Sequence, residues 1–126
     1  MRNHDARTVC AVTGTRAEYG LLRGIMQAIR DCPDLALQTL VTGSHLSDEF
    51  GRTVDMIRQD GFDVDSEVNM LLANDMPVAI AKSMGLGMVG FADAFHNLRP
   101  DVVLLLGDRF EVLAAAATAA TMHIPI

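Results

Sequence analysis

Two acids and an arginine follow a strongly apolar segment within five residues of its end. Val102–Leu106 is an unbroken apolar run, and Gly107–Glu111, which contains Asp108 and Arg109, comes directly after it. Such a run is typical of a buried parallel strand, and ligands of open α/β sheets collect beyond the carboxyl ends of these strands. An arginine suits an anion such as a phosphate, and a neighbouring carboxylate can move protons. The junction therefore predicts a site for an anionic ligand.

Two other apolar segments, 8–12 and 35–41, also end in polar turns. The turn residues that could bind a ligand or take part in a reaction are Gly14, Arg16 and Glu18 after the first segment, and Gly43, Ser44 and His45 after the second. Backbone N–H groups at a helix N-terminus bind anions readily, and Arg16 would add a guanidinium for a phosphate.

Each turn also has a purely structural interpretation. Thr15 with Glu18 fits a helix N-cap supported from its first turn. A lone histidine such as His45 is more often packed or capping than catalytic, and Glu111 fits a first-turn acid that answers the helix dipole. Arg109 is harder to explain in this way, because a cation at a helix N-terminus is unfavourable unless another group holds it.

The remaining periodicity alternates strands with helices. Strands are predicted at 8–12, 35–41, 62–70 and 102–106, and the segment 124–126 resembles a fifth strand beginning. The helices are predicted from the apolar faces Leu21, Leu22, Ile25, Met26 and Ile29; Leu46, Phe50, Val54 and Ile57; Ile80, Met84, Met88, Phe91, Phe95 and Leu98; and an alanine-rich stretch to about Met122. Asp75 with Pro77 predicts the start of the third helix.

This order predicts an α/β fold, a Rossmann-like doubly wound parallel sheet with right-handed crossovers and strand order 3-2-1-4-5. In that order the first and fourth strands are neighbours at the switch point where the crevice opens. The three polar turns should therefore converge on one edge of the sheet.

Composition excludes several classes of function. The chain has 126 residues, half of them hydrophobic, which is about one domain, and its net charge of −6 argues against nucleic acid or anionic membranes as partners. We expect no signal peptide and no membrane span, and hence a cytoplasmic protein. Cys10 and Cys32 match no metal or disulfide spacing and are interpreted as reduced and structural.

One motif and the histidines carry little chemistry. Gly85–Gly90 fits G-x-G-x-x-G, but it lies inside a helical apolar pattern rather than between a strand and a helix, so close helix packing explains its glycines better. His4, His96 and His123 have no second ligand at H-x-x-x-H spacing. We predict no metal site and no cofactor.

The three turns together resemble a known family. The segments 13–22, 43–46 and 107–111 are similar to the hydrolysing UDP-N-acetylglucosamine 2-epimerases of sialic-acid and related nonulosonic-acid biosynthesis. In the non-hydrolysing relatives these turns usually read F-G-T-R-P-E, G-Q-H-R and G-D-T-T. This chain has Ala17, Ser44-His45-Leu46 and Arg109-Phe110 instead, which favours the hydrolysing branch.

The resemblance implies the N-terminal domain of a GT-B fold of the UDP-glycosyltransferase and glycogen phosphorylase kind. Residues 1–126 would form this domain up to the start of the fifth strand, with the C-terminal domain absent and the fragment inactive alone. The family usually continues from Ile-Pro-Ile into a histidine, two glycines and a glutamate of the active site. The full-length protein would be a homo-oligomer, a dimer or a tetramer.

The resemblance also implies the chemistry. UDP is eliminated from UDP-N-acetylglucosamine to give a 2-acetamidoglycal, and water then adds to yield N-acetylmannosamine. Asp108 would be the acid/base carboxylate, and His45 would bind the sugar or transfer a proton. Substrate binding would fall to Arg16, Glu18, Arg109, Gly14 and Ser44. Glu18 stands where many relatives have aspartate.

Three alternatives stay open at this stage. A non-hydrolysing 2-epimerase would return the epimeric UDP-sugar, and a GT-B glycosyltransferase would need an acceptor, since fold alone does not fix function. A stand-alone Rossmann-like binding module is the third. Within the resemblance, a UDP-diacetylbacillosamine type of substrate is as compatible as UDP-N-acetylglucosamine.

Overall fold

Strands and helices alternate along the chain in a computed structural model that describes residues 6–47, 53–70 and 75–126. The strands are β1 (Arg7–Thr13), β2 (Leu35–Thr42), β3 (Ser66–Val68) and β4 (Val102–Leu104). The helices are α1 (Arg16–Asp31), α2 (Val54–Gln59), α3 (Pro77–Leu98) and α4 (Phe110–Thr121), with a short 3₁₀ turn at Gly43–Leu46. Phe50, which the sequence pattern places on the second helix, lies outside the described residues.

The four strands form one parallel sheet in the order β3-β2-β1-β4. This confirms the predicted fold class and the first four places of the predicted strand order. The last residues form no strand, but the N–H of Val103 donates to the carbonyl of Pro125 at 2.8 Å, which lays the end of the chain beside β4.

Apolar side chains cover both faces of this sheet. In β1 Cys10 and Val12 join a cluster with α3 and α4, whereas Ala11 joins a second cluster with α1 and α2. Successive strand residues point to opposite faces, so a strand buried on both sides must be apolar throughout. This explains why β1 reads as a continuous apolar run rather than an alternating one. Both cysteines of the chain are free thiols.

The buried face of α1 differs from the predicted stripe. Leu21 and Ile25 are 72% and 50% exposed, so their placement in the core was wrong. The apolar residues that α1 buries are Tyr19, Leu22, Met26 and Ile29. Their spacing of three, four and three keeps them on one face of the helix, and Leu21 and Ile25 fall just beyond its edge.

The third helix packs through small residues. Its buried positions are Ala79, Ser83, Gly87, Phe91, Ala94 and Phe95, so Phe91 and Phe95 are confirmed as core while Met88 is 36% exposed. A Cβ at Gly87 would lie 2.6 Å from Met70 Cε, and one at Gly90 would lie 2.6 Å from Val68 Cγ1. Gly90 therefore lets α3 approach β3 closely and Gly87 lets it approach Met70 just after β3, as predicted for the G-x-G-x-x-G segment, whereas Gly85 faces open space.

The start of α3 agrees with the prediction, whereas its composition differs from expectation in one respect. The helix begins at Pro77, with Met76 as its N-cap. Contrary to expectation, α3 is also long and apolar enough to cross a membrane by length and composition alone. A helix that covers the face of a sheet satisfies the same criteria, so this feature alone is weak evidence of a membrane segment.

Candidate functional site

The turns after β1, β2 and β4 meet at one edge of the sheet, as the predicted strand order required. Gly43 has a φ of +64°, and a Cβ there would lie 2.7 Å from the carbonyl oxygen of Gly14 and 3.3 Å from Oε1 of Glu111. Gly107 has a φ of +110°, and a Cβ there would lie 3.5 Å from Oε1 of Glu18. Glycine is needed at both positions for the left-handed backbone, and at Gly43 also for the close approach.

The first turn forms an N-cap that supports a buried carboxylate. Thr15 caps α1, and its Oγ1 accepts the backbone N–H of Glu18 at 3.1 Å. Oε2 of Glu18 accepts the N–H of Gly14 at 3.4 Å, and the residue is only 7% exposed. The structural and functional interpretations of this turn are thus compatible, because the capping geometry itself carries Glu18 into the site.

The carboxyl of Glu18 is in an unfavourable place for a negative charge. Its Oε1 is buried and has no hydrogen-bond partner among the residues that the structure describes. Burial raises the pKa of Glu18 above its ordinary value; the N–H of Gly14 opposes this shift, and the negative charge of Glu111 adds to it. Buried acids with raised pKa values cluster at functional sites.

Arg109 and Glu111 form the second charged element of the site. Arg109 is the N-cap of α4, and its Nε lies 3.1 Å from Oε2 and 3.3 Å from Oε1 of Glu111, with Nη2 3.2 Å from Oε1. Glu111 is 1% exposed, whereas the side chain of Arg109 is 49% exposed. These hydrogen bonds raise the pKa of Arg109. Glu111 is therefore the group that holds a cation at this helix N-terminus.

Sequence reasoning underrated Glu111. It does lie in the first turn of α4, as predicted, but it is buried in the centre of the site rather than at its surface. The signal was available in the sequence: a cation at an N-cap position needs a partner, and Glu111 is the acid two residues away. Local pattern alone did not show that Gly14 and Gly43 pack over it.

Two of the predicted site residues, Arg16 and Asp108, lie at the rim. Arg16 is exposed in the first turn of α1, and Asp108 is exposed at the tip of the turn between β4 and α4. Ser44 lies in the 3₁₀ turn that follows β2. The structure thus brings the three predicted turns together, with Glu18 and Glu111 beneath and Arg16 and Asp108 above.

His45 is enclosed below this site. It is 0% exposed, and its ring nitrogens lie 2.9 Å from Oγ1 of Thr13 and 2.6 Å from Oγ1 of Thr53. Burial lowers the pKa of His45 to about 4, so the ring is neutral at physiological pH. The rings of His45 and Tyr19 also pack edge to face, with their centroids 6.3 Å apart. This geometry favours the packing interpretation of His45 and gives no support to the predicted catalytic role.

A recess open to solvent lies next to the site, at the carboxyl ends of β2 and β3. It is lined by Gly43, Leu46, Ser47, Asn69 and Met70. Across 6–47, 53–70 and 75–126, no three His, Cys, Asp or Glu side chains are grouped to hold a metal ion. The site as described is therefore one of carboxylates, guanidinium groups and backbone N–H donors, a set that suits an anionic ligand.

Comparisons with known proteins agree with the resemblance carried by the three turns. The sequence profile of the family described as UDP-N-acetylglucosamine 2-epimerase matches residues 27–126. The chain is 45% identical over 120 residues to GDP/UDP-N,N'-diacetylbacillosamine 2-epimerase (hydrolyzing) of Campylobacter jejuni, a match that covers 95% of the chain and 31% of the relative. It is 42% identical over 120 residues to UDP-N,N'-diacetylbacillosamine 2-epimerase (hydrolyzing) of Legionella pneumophila, covering 95% and 32%.

A solved structure supports the fold. The chain superposes on UDP-GlcNAc 2-epimerase from Neisseria meningitidis bound to UDP-GlcNAc with a TM-score of 0.78 at 19% identity, covering 94% of the chain and 30% of that protein. This confirms the predicted Rossmann-like domain of a GT-B fold. The chain spans about a third of the length of the curated relatives it matches. By its three turns, its fold and its match over residues 27–126, the chain belongs to the UDP-N-acetylglucosamine 2-epimerase family.

Proposed function

We propose that the protein carrying this chain is a hydrolysing 2-epimerase of a UDP-linked 2-acetamido sugar. In the first stage a base removes the C2 proton, the C1–O bond to UDP breaks, and a C1=C2 double bond forms. In the second stage water supplies a hydroxyl at C1, and a proton returns to C2 from the opposite face. The products are free UDP and a free sugar inverted at C2.

The observation that carries this proposal is the convergence of the turns after β1, β2 and β4 on one cluster of charges. Expelling a diphosphate requires positive charge or oriented N–H groups at the developing negative charge. Arg16 at the N-terminus of α1 and Arg109 at that of α4 supply both at neighbouring strand ends. The proposal therefore assigns the diphosphate to the space between these two helix N-termini.

Asp108 is the proposed base. Removing a weakly acidic C2 proton needs a positioned carboxylate, and Asp108 is the exposed acid on the turn between Gly107 and Arg109. Glu18 and Glu111 are acids as well, but both are enclosed beneath the turns. Their burial suits charge balance and positioning, whereas the exposure of Asp108 suits contact with a sugar.

The names of the relatives bear on the substrate. The Campylobacter and Legionella proteins, at 45% and 42% identity, are named for a diacetylbacillosamine substrate, whereas the UDP-N-acetylglucosamine 2-epimerase of Neisseria meningitidis is 30% identical over 115 residues. We therefore place UDP-N,N'-diacetylbacillosamine ahead of UDP-N-acetylglucosamine, which the motifs alone suggested. A homo-oligomeric state and a cytoplasmic location remain predictions for the full-length protein.

The test is product analysis with the full-length protein. Each of the two UDP-sugars is incubated separately, and the products are identified by proton NMR. We expect free UDP and the free C2-inverted sugar, with faster turnover of the diacetylbacillosamine substrate. Recovery of the epimeric UDP-sugar would indicate the non-hydrolysing reaction, and turnover only when an acceptor sugar is added would indicate a glycosyltransferase.

A further inference from the structure

Two buried carboxylates flank a single glycine at the centre of the site. A Cβ at Gly14 would lie 3.5 Å from Cβ and Cγ of Glu111 and 3.6 Å from Oε2 of Glu18. Glu18 is 7% exposed and Glu111 is 1% exposed. Two carboxylates that share a poorly hydrated site ionise together only at a high electrostatic cost.

The positive charge available to this pair is committed to one of its members. The guanidinium of Arg109 engages both oxygens of Glu111. Glu18 keeps one long hydrogen bond from a backbone N–H, and its Oε1 has no partner among the described residues. An ionised Glu18 would thus be a buried and poorly compensated charge, which is an expensive state.

The other charged groups around Glu18 do not change this balance. From the turn before α4, Asp108 adds negative charge and Arg109 adds positive charge at a distance, while Glu111 adds negative charge from α4 itself. From the 3₁₀ turn, His45 is neutral and hydrogen-bonded to two threonine hydroxyls. Burial raises the pKa of Glu18, which agrees with this geometric argument.

We propose that Glu18 takes up a proton in the free site more readily than an exposed glutamate does, and that binding of an anionic diphosphate is coupled to this proton. Neutral Glu18 leaves the site with one negative charge fewer beneath the ligand, so the diphosphate binds more tightly to this form. Glu18 is then a positioning residue that acts through charge and through the turn carrying Gly107. This inference rests on the proposed function, because it takes the ligand to be a UDP-sugar.

The sign of the coupling follows from the charges. A bound anion favours the protonated form of a nearby acid, so binding takes up protons wherever Glu18 is partly ionised in the free protein. Affinity for UDP therefore falls as pH rises, and for a total change of about tenfold the slope in log Ka against pH reaches about −0.5 for this one group. At the alkaline end of the titration, the charge of Glu18 weakens binding by about tenfold, as expected for like charges near a protein surface.

The first test reads the proton directly. In the full-length protein the glutamate side-chain carboxyls are labelled with carbon-13, and the signal that Glu18→Gln removes is assigned to Glu18. We expect the signal of Glu18 to titrate above the ordinary value of 4.5 in the unliganded protein. Titration at or below that value would overturn the inference, and this result does not depend on any ligand.

The second test measures UDP binding by calorimetry across pH in the full-length protein. Glu18→Gln keeps a carbonyl oxygen for the N–H of Gly14 and is neutral at every pH. The matched control is Glu67→Gln, which removes an acid on β3 that pairs with Arg58 of α2. Ionisation of UDP itself is common to all three proteins and cancels in the comparison.

We expect Glu18→Gln to bind UDP as tightly as the wild type at acidic pH and about tenfold more tightly at alkaline pH, with the shallower pH dependence. Glu67→Gln should follow the wild type throughout. Equal slopes in the wild type and Glu18→Gln would overturn the coupling while leaving the proposed function intact. A wild-type protein that binds no UDP at any pH would instead contradict the proposed function.

Discussion

Replacing Gly43 by alanine tests whether the three turns pack as described. Gly43 has a φ of +64°, a left-handed conformation that costs a residue with a Cβ about 1–2 kcal/mol. The new methyl group would also lie 2.7 Å from the carbonyl oxygen of Gly14 and 3.2 Å from Cγ of Glu111. Neither the backbone carbonyl nor a buried side chain can move away freely, so the contact adds to the conformational cost.

The two contributions set the expected magnitude. Overpacking of a tight site costs about 1–3 kcal/mol, which brings the total for Gly43→Ala to about 2–5 kcal/mol of unfolding free energy. Domains of this size have about 5–15 kcal/mol in all, so the variant should remain folded with a clearly lower denaturation midpoint. Because the same turn borders the site, UDP binding should weaken as well.

Urea unfolding of the wild type and Gly43→Ala, followed by circular dichroism, measures this difference. Gly24→Ala is the matched control, because Gly24 is an exposed position inside α1 with nothing within 4 Å of an added Cβ. That control should gain about 0.5–1 kcal/mol from the better helix propensity of alanine. A Gly43→Ala variant as stable as the wild type would refute the close approach of the first and second turns.

The remaining predictions concern the buried charges and the helix contact. Burial lowers the pKa of His45 from 6.5 to about 4, so the unfolded chain takes up a proton that the folded protein does not as the pH falls from 7 to 5. The free energy of unfolding should therefore fall by about 2 kcal/mol over this range, and the denaturation midpoint of His45→Gln should lack this decrease. Arg109→Ala should cost about 1–3 kcal/mol by leaving Glu111 without its guanidinium, and adding Glu111→Gln should recover part of that loss in a double-mutant cycle; purely additive effects would contradict the pairing. Gly90→Ala should lower the melting temperature through its contact with β3, whereas Gly85→Ala, which faces open space, should raise it; equal shifts would argue against that contact.

The sheet order and the meeting of the turns were predictable because they follow from rules of connection. Alternating strands and helices with right-handed crossovers place the first strand between the second and the fourth, and parallel strands end at the same edge. Gly14, Gly43 and Gly107 could therefore be expected together before any coordinates were known. Their close packing on Glu18 and Glu111 confirms that expectation.

Strand lengths and helix faces were less predictable because tertiary packing decides them. β4 ends at Leu104, although Leu105 and Leu106 continue the apolar run. Leu105 packs against the cluster that includes α3 and α4, and Leu106 packs against the cluster that includes α1 and α2. These two residues are therefore apolar for burial rather than for strand pairing. The exposed Leu21 and Ile25 show the converse, since an apolar residue at the edge of a helical stripe need not reach the core.

The roles of single residues depended on burial, which a local pattern does not reveal. The positions of His45 and Asp108 after strands allowed a chemical role for both, although packing was the commoner role for a lone histidine. The structure encloses His45 and exposes Asp108, which separates a packing role from a proposed catalytic one. Glu111 was predicted to be an ordinary first-turn acid, whereas the structure shows it as the buried partner of Arg109.

The proposed role of Asp108 as the base is tested most directly by following the C2 proton in the full-length protein with Asp108→Asn. With its UDP-sugar substrate in D₂O, the wild type should release a free sugar that carries deuterium at C2. Asp108→Asn should slow both release and deuterium incorporation by about 100-fold or more while UDP still binds, and Asp93→Asn, an exposed acid on α3, should behave as the wild type. Undiminished deuterium incorporation by Asp108→Asn would contradict the claim that this strand end supplies the base.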